Sequence, residues 1–260
     1  MIDVPIATRP AQRDVVAACV DQWIKVADAV DRLPDEAFAK PSGLPGWRVA
    51  DLVAHLGMCA SAPVSRLAAP APPKAETDVA SYLLFFKSAA ADISARTVEL
   101  AGDGDPKTLR AALREAIADL EAALVDVDLT RVIPTRLAPM RLDDFLITRC
   151  VEGVVHGLDL DPAVDPEPAA LKIATKALLS ALVQKAPGHT VEVRVPPIAA
   201  VQCVEGPRHT RGTPSNVVEA DPVSWVRVAT GRLVWRDAVA DGRIKASGER
   251  SDISGLLPLL

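Results

Sequence analysis

The stretch DDFLITRCVEGVVHGLDL, residues 143–160, decides how this chain of 260 residues is read. Phe145, Leu146, Val151, Val154, Val155 and Leu158, with Leu142 just upstream, recur at steps of three and four, the spacing of one apolar helix face. Inside that stretch, VEGVVHG sets Glu152 and His156 four residues apart. The two therefore share one side of a helix, about 6 Å apart along its axis. A carboxylate set among valines is costly to bury alone, so Glu152 calls for a partner.

Working upstream, the same spacing recurs. Between Gln12 and Leu33 it is carried by Val15, Val16, Cys19, Val20, Trp23, Val26, Ala27 and Val30. From Trp47 to about Leu67 it is carried by Val49, Leu52, Val53 and Leu56, with Pro63 expected to kink or shorten that helix. Helical patterns resume at 79–101 and 107–125, split by the breaker GDGDP at 102–106. The run AAPAPPKAETD at 68–78 has too many prolines to be helical and reads as an exposed connector, and 131–139 reads as irregular. Residues 1–161 thus predict an up-down helical bundle.

Downstream the character changes. DPAVDPEP at 161–168 packs three prolines and three acids into eight residues, which suits a domain boundary. One more helix fits 169–185, and then HTVEVRVPP at 189–197 alternates with period two in β-branched residues. Further strands are expected near 200–204, 216–219 and 243–246, and short helices at 222–230, 235–240 and 249–258. Residues 169–260 therefore predict a small α+β domain with an antiparallel sheet, and the fold class of the whole is α+β.

Composition narrows the function. The chain is 49% hydrophobic but 3% aromatic, so Ala, Val and Leu supply the apolar mass and helices are favoured. A net charge of -5 speaks against phosphate-backbone contact, and nucleic acid is not an expected partner. Mean hydropathy is positive, +0.19, yet no run approaches the ~20 apolar residues that membrane insertion needs. The N-terminus MIDVPIATRPAQRD lacks the layout of a secretion signal, so the expected compartment is the cytoplasm. Cys19, Cys59, Cys150 and Cys203 are too scattered for a local zinc knuckle or redox pair and read as buried thiols.

The chemistry concentrates on three residues. WRVADLVAHLG places His55 among Leu52, Val53 and Leu56, at the edge of a face turned to the bundle interior. Two histidines and a carboxylate from facing helices, His55, Glu152 and His156, would make a three-ligand site for a divalent metal with a position left for water or substrate. Spacing alone also fits a core histidine and a solvent-facing Glu–His pair. Cys59, one turn after His55, is either a small core residue or a fourth ligand that would close the site. Asp51, one turn before His55, is either a partner for the imidazole or an exposed acid favouring the helix dipole. His189 and His209 lie in polar settings and are assigned no role.

GWRVADLVAHL at 46–56 and DDFLITRCVEGVVHGLDL at 143–160 resemble the two signature helices of the mycothiol-dependent maleylpyruvate isomerase family, among the DinB-like metal-binding bundles of actinobacteria. The resemblance implies a divalent metal, usually zinc, held by the residues that match its ligands: His55, Glu152 and His156. It also implies mycothiol as a thiol cosubstrate acting on a small electrophilic molecule. Residues 216–260 are similar to the sterol-carrier-like domains joined to such bundles. The family's functional arginine from that domain would fall on Arg232 in the ATGRL turn, which as a plain sequence also reads as an exposed arginine after a helix-ending glycine. Arg48 stands where the family often has a capping Ser or Thr, a departure in the first helical turn.

The leading reading is a metal-dependent, mycothiol-using isomerase or transferase. One rival is a carrier of an apolar, lipid- or sterol-type ligand, its cavity lined by Leu178, Leu182, Val193, Val195, Trp225, Trp235, Leu256 and Leu257. The other is a bundle without chemistry that serves as an interaction module.

Overall fold

Apolar spacing becomes helix at each upstream stretch that showed it: α1 (Gln12–Arg32), α2 (Val49–Leu67), α3 (Val79–Ala101), α4 (Pro106–Ala123) and α5 (Leu142–Gly157). This computed structural model describes residues 12–206 and 215–260; His209 and the stretch before Gln12 lie outside them. By its contacts the chain divides into two compact units. Among the described residues, one comprises 12–78 and Ser88–Ala170, and the other Val79–Lys87, 171–206 and 215–260.

In the first unit α1 and α2 each pack against both α4 and α5. Trp23, Val26, Leu52, Leu56, Leu113, Leu120, Phe145 and Leu146 are buried at its centre. The approach of α1 to α5 is close because α5 presents glycines to it. A Cβ on Gly153 would stand 3.0 Å from Cγ of Gln22, and one on Gly157 would stand 3.3 Å from Val26. Gln22 then ties the pair together: its amide nitrogen donates to the Gly153 carbonyl at 3.0 Å, and its oxygen accepts from the Glu167 backbone N–H at 2.8 Å. This seam fixes the helix that carries Glu152 and His156.

Two local expectations are revised here. Pro63 neither cuts α2 nor shortens it, because α2 runs through to Leu67 with Pro63 buried inside it. The cost is one absent helical hydrogen bond, the one Pro63 would have given to the Cys59 carbonyl four residues back. The stretch read as irregular, 131–139, holds one strand and the loop of a small antiparallel hairpin, β1 (Val132–Ile133), whose partner β2 (Met140–Arg141) follows directly after it. Two-residue strands are too short to leave an alternation in sequence.

In the second unit α6 (Pro168–Lys185), most of which belongs to it, precedes a four-stranded sheet of β3 (Val191–Val195), β4 (Ala199–Cys203), β5 (Val217–Ala220) and β6 (Ile244–Ser247) in the order β4-β3-β5-β6. The sheet is mixed, where an antiparallel one was expected: β3 pairs in parallel with β5, and the other two pairings are antiparallel. After the β3–β4 hairpin the chain returns beside β3 and not beside β4, an ordering that alternation along a strand does not encode. Helices α7 (Pro222–Ala229) and α8 (Trp235–Ala240) match two of the three short helices expected. The third, at 249–258, is loop apart from one 3-10 turn at Ser254–Leu256, where the Asp252 side chain accepts from the Ser254 N–H at 2.9 Å. Together the two units make an α+β protein, as the sequence predicts.

Candidate metal centre

Helix α5 turns Glu152 and His156 inward on one face, and α2 brings His55 to meet them. Among the described residues, His55, Glu152 and His156 form a group whose donor atoms all lie within 4.8 Å of one another. Nε2 of His156 is 3.1 Å from Oε2 of Glu152, and Nε2 of His55 is 3.5 Å from the same oxygen. The centre is largely screened from water: His55 is 5% exposed and His156 8%.

Each imidazole is held from behind. Nδ1 of His156 lies 2.9 Å from Oδ2 of Asp159, a carboxylate that accepts, so Nδ1 keeps a hydrogen and Nε2, which faces Glu152, is the nitrogen a cation would take in place of a proton. Nδ1 of His55 lies 3.3 Å from Oγ1 of Thr97 on α3. The Trp47 ring stands 5.2 Å from the His55 ring, and its Nε1 donates to Ser94 Oγ at 2.9 Å. Asp159, Thr97 and Trp47 were not singled out as partners from sequence. For Asp159 a signal existed in the VVHGLDL spacing, three residues past His156; Thr97 lies 42 residues from His55 and left none.

Asp51 is not a partner of the imidazole; it is the acid of the first helical turn, buried where an exposed one was expected. It accepts from the Arg48 backbone N–H at 2.7 Å and from the Arg48 guanidinium at 2.8 Å. A helical side chain leans toward the N-terminus, so an acid in the first turn reaches back to cap it and not forward to His55. Arg48, lacking a capping hydroxyl, is thereby served by Asp51.

Charges in the centre lean on one another. Burial opposes the Glu152 charge, yet hydrogen bonds from His156 and His55 and the nearby Arg149 hold its pKa well below the ordinary 4.5. Burial pulls both histidines down, but Cys59 and Glu152 lift His55 above 6.5 on balance, and Asp159 and Glu152 do the same for His156. Arg149, buried one turn before Glu152, has Nη2 3.6 Å from Oε1 of Glu152 and its guanidinium 4.7 Å from the Phe145 ring centre. The sequence reading does not single it out.

A donor set of two imidazole nitrogens and one carboxylate oxygen suits a divalent ion of the zinc type. Without the ion the same atoms can only share protons, which is what the raised histidines and lowered Glu152 express. The residues present therefore fit a metal.

All four cysteines are unbridged and buried. The Cys150 thiol is lifted well above 9.0 by its hydrogen bond with Cys19 and by burial, so it faces α1. Cys59 instead points at the centre, with Sγ 3.4 Å from Nε2 of His55 and 3.7 Å from Oε2 of Glu152. His189 is exposed, Nδ1 3.0 Å from the Gln202 side chain. Arg232 belongs to the second unit. It follows Gly231, whose φ of +77° ends α7, and its Nη1 donates to the Thr230 carbonyl at 2.8 Å. Of the side chains named for an apolar cavity, Leu178, Leu182, Val193, Val195 and Trp225 are wholly buried core. Trp235 and Leu257 line a separate groove of about 720 Å³.

Residues 19–161 match the family described as the mycothiol maleylpyruvate isomerase N-terminal domain, and residues 167–259 match one described as a bacterial SCP ortholog. The two quoted helix segments fall inside the first match, and the stretch from Asn216 falls almost wholly within the second. No curated protein matches the chain. Among solved structures, the crystal structure of the mycothiol-dependent maleylpyruvate isomerase is similar, with a TM-score of 0.64 at 14% identity, covering 94% of this chain and 95% of that one. A histidine-to-alanine mutant of that isomerase gives 0.63 at 14% identity over the same shares. At such identity the likeness is one of fold.

Proposed function

The chain belongs to the mycothiol maleylpyruvate isomerase N-terminal domain family, and from that premise we propose that it is a cytoplasmic metalloenzyme that uses mycothiol to isomerise, or to transfer the thiol to, a small electrophilic molecule. His55, Glu152 and His156 hold the divalent ion, zinc in this reading. The observation that carries the proposal is the convergence of their three donor atoms within 4.8 Å. A bound divalent ion with an open position would favour thiolate over thiol at neutral pH and so supply the nucleophile.

The chain's own residues do the positioning. Asp159 fixes the tautomer of His156, leaving Nε2 to face inward. Glu152 stays ionised because His156, His55 and Arg149 favour its charge. His55 and His156 are themselves 5% and 8% exposed, which leaves little room for bulk water at the donor atoms. Arg232 is assigned, on the family resemblance, as the functional arginine; a guanidinium offers a fixed charge and a fork of donors to an anionic group of substrate. No helix among the described residues is long and apolar enough to cross a membrane, in keeping with a small-molecule substrate met in solution.

Metal analysis of protein purified without chelator is the test. Wild type should carry about one divalent ion per chain and His156→Ala should lose it, whereas Arg232→Ala should keep the ion and lose turnover. Mycothiol should raise the melting temperature of the loaded protein. Metal-free wild type would overturn the proposal.

A second reading has one observation in its favour. The groove of about 720 Å³ in the second unit is lined by Leu233, Trp235, Val239 and Leu257 together with Arg236 and Asp252, and such a surface suits a ligand with an apolar body and a polar end. A melting shift with a fatty acid and none with mycothiol would favour carriage over catalysis.

A further inference from the structure

We propose that Cys59 is a further ligand of this centre, a thiol of the chain itself held where an external thiol must arrive. The inference rests on the metal reading above and adds a gate to it. Cys59 follows His55 by one turn of α2, is 4% exposed, and brings its sulfur against the donor atoms of His55 and Glu152.

The geometry is specific. Sγ of Cys59, Nε2 of His55 and Oε2 of Glu152 form a triangle with sides of 3.4, 3.5 and 3.7 Å. Zinc bonds of about 2.0–2.1 Å to nitrogen or oxygen and about 2.3 Å to sulfur place neighbouring ligands of a tetrahedron roughly 3.3–3.6 Å apart. The observed triangle has the size of one face of such a tetrahedron. Nε2 of His156 lies 3.1 Å from its Glu152 corner, Oε2. Packing alone would ask only that a small side chain fill the space, and an alanine would do that. Here the sulfur stands in polar contact with two donor atoms instead.

The step is balanced without a redox partner. A metal–sulfur bond forms, the Cys59 thiol proton passes to solvent, and nothing is oxidised or reduced. In the resting protein the chain's own sulfur then occupies the position that mycothiol would take. An incoming thiol would bind by exchange: it gives up its proton as its sulfur takes the place of Cys59, and the released Cys59 thiolate takes up one proton, so no net proton is lost. The centre is thus closed at rest and opened by the cosubstrate.

Cobalt(II) is the probe, loaded at one equivalent into metal-free, full-length protein in buffer without added thiol. Wild type should show a sulfur-to-cobalt charge-transfer band in the near ultraviolet. Cys59→Ser should lose that band while retaining the visible bands of bound cobalt, and 2-mercaptoethanol should restore it. X-ray absorption of zinc-loaded wild type, which depends on no variant, should show a sulfur neighbour at about 2.3 Å. Bound cobalt without the charge-transfer band, or a band that survives in Cys59→Ser, would overturn the role of Cys59 and leave the three-residue site standing. Wild type that takes up no cobalt would overturn the metal reading and this inference together.

Discussion

Asp159 holds His156 from behind: Oδ2 of the one lies 2.9 Å from Nδ1 of the other, with Asp159 6% exposed in the turn that follows α5. A carboxylate at that nitrogen sets the ring's tautomer and makes Nε2 a better donor to a cation. The position of Asp159 is itself fixed, since its backbone oxygen accepts from the Gly43 N–H at 3.3 Å. Asp159→Ala should therefore weaken metal binding by about 10–100-fold without removing a ligand. Competition against a chromophoric chelator measures this, and unchanged affinity would show that the pair is merely structural.

Protons and the metal compete for the same nitrogens, which gives the centre a pH dependence of definite sign. Both histidines have folded-state pKa values raised above 6.5, so between 6.5 and those raised values the metal-free folded protein binds more protons than the unfolded chain. Stability from this source is fully present below 6.5 and is lost as pH rises through the raised values. Metal affinity runs the other way, falling on acidification from above 6.5 because the ion must displace those protons. The melting-temperature gain from zinc should thus widen from pH 6 toward pH 8. Glu152, held well below 4.5, stays ionised across that range and adds no step to it. A gain that is flat with pH would argue against histidine ligation.

The α1–α5 seam offers a test of packing. At Gly153 a methyl group would meet Cγ of Gln22 at 3.0 Å, and Gln22 cannot swing aside while both ends of its amide are hydrogen-bonded. Overpacking of this kind costs about 1–3 kcal/mol, while alanine in place of glycine in a helix returns about 1 kcal/mol. Gly153→Ala should lose up to about 2 kcal/mol in urea unfolding. Because the strain falls on the turn that carries Glu152, zinc affinity should fall with it.

What the sequence showed of this site follows from what helices encode. Glu152 and His156 are four residues apart, so their meeting was legible from one helix, and His55 followed once its own apolar face was seen. The contacts that cross between distant segments were not legible. Thr97 reaches His55 across 42 residues of sequence, and no periodicity on α3 marks it. Asp51 was ambiguous because a first-turn acid has two uses, and only the Arg48 contacts decide between them. In the second unit the strands were visible as alternation, but the parallel pairing of β3 with β5 depends on where the chain returns after a hairpin, and that is a property of packing.

Arg149 supplies a test of how the centre balances its charge. Its guanidinium is buried, 3.6 Å from Glu152, and it favours the Glu152 charge. A bound cation would do the same for Glu152 but would itself be repelled by Arg149. Arg149→Met keeps the side chain's apolar length and removes its charge. The metal-free variant should be less stable than wild type, by less than the ~3–5 kcal/mol that stripping a buried charge of its only partner costs, because Glu152 keeps its contacts with His156 and His55. With zinc bound the deficit should shrink, because the ion replaces the lost positive charge and no longer meets a repulsive neighbour. The measurement is the zinc-induced melting shift, expected to be larger in Arg149→Met than in wild type. Equal shifts would mean that Arg149 acts through its contacts with Thr148 and Phe145 and that the centre does not feel its charge.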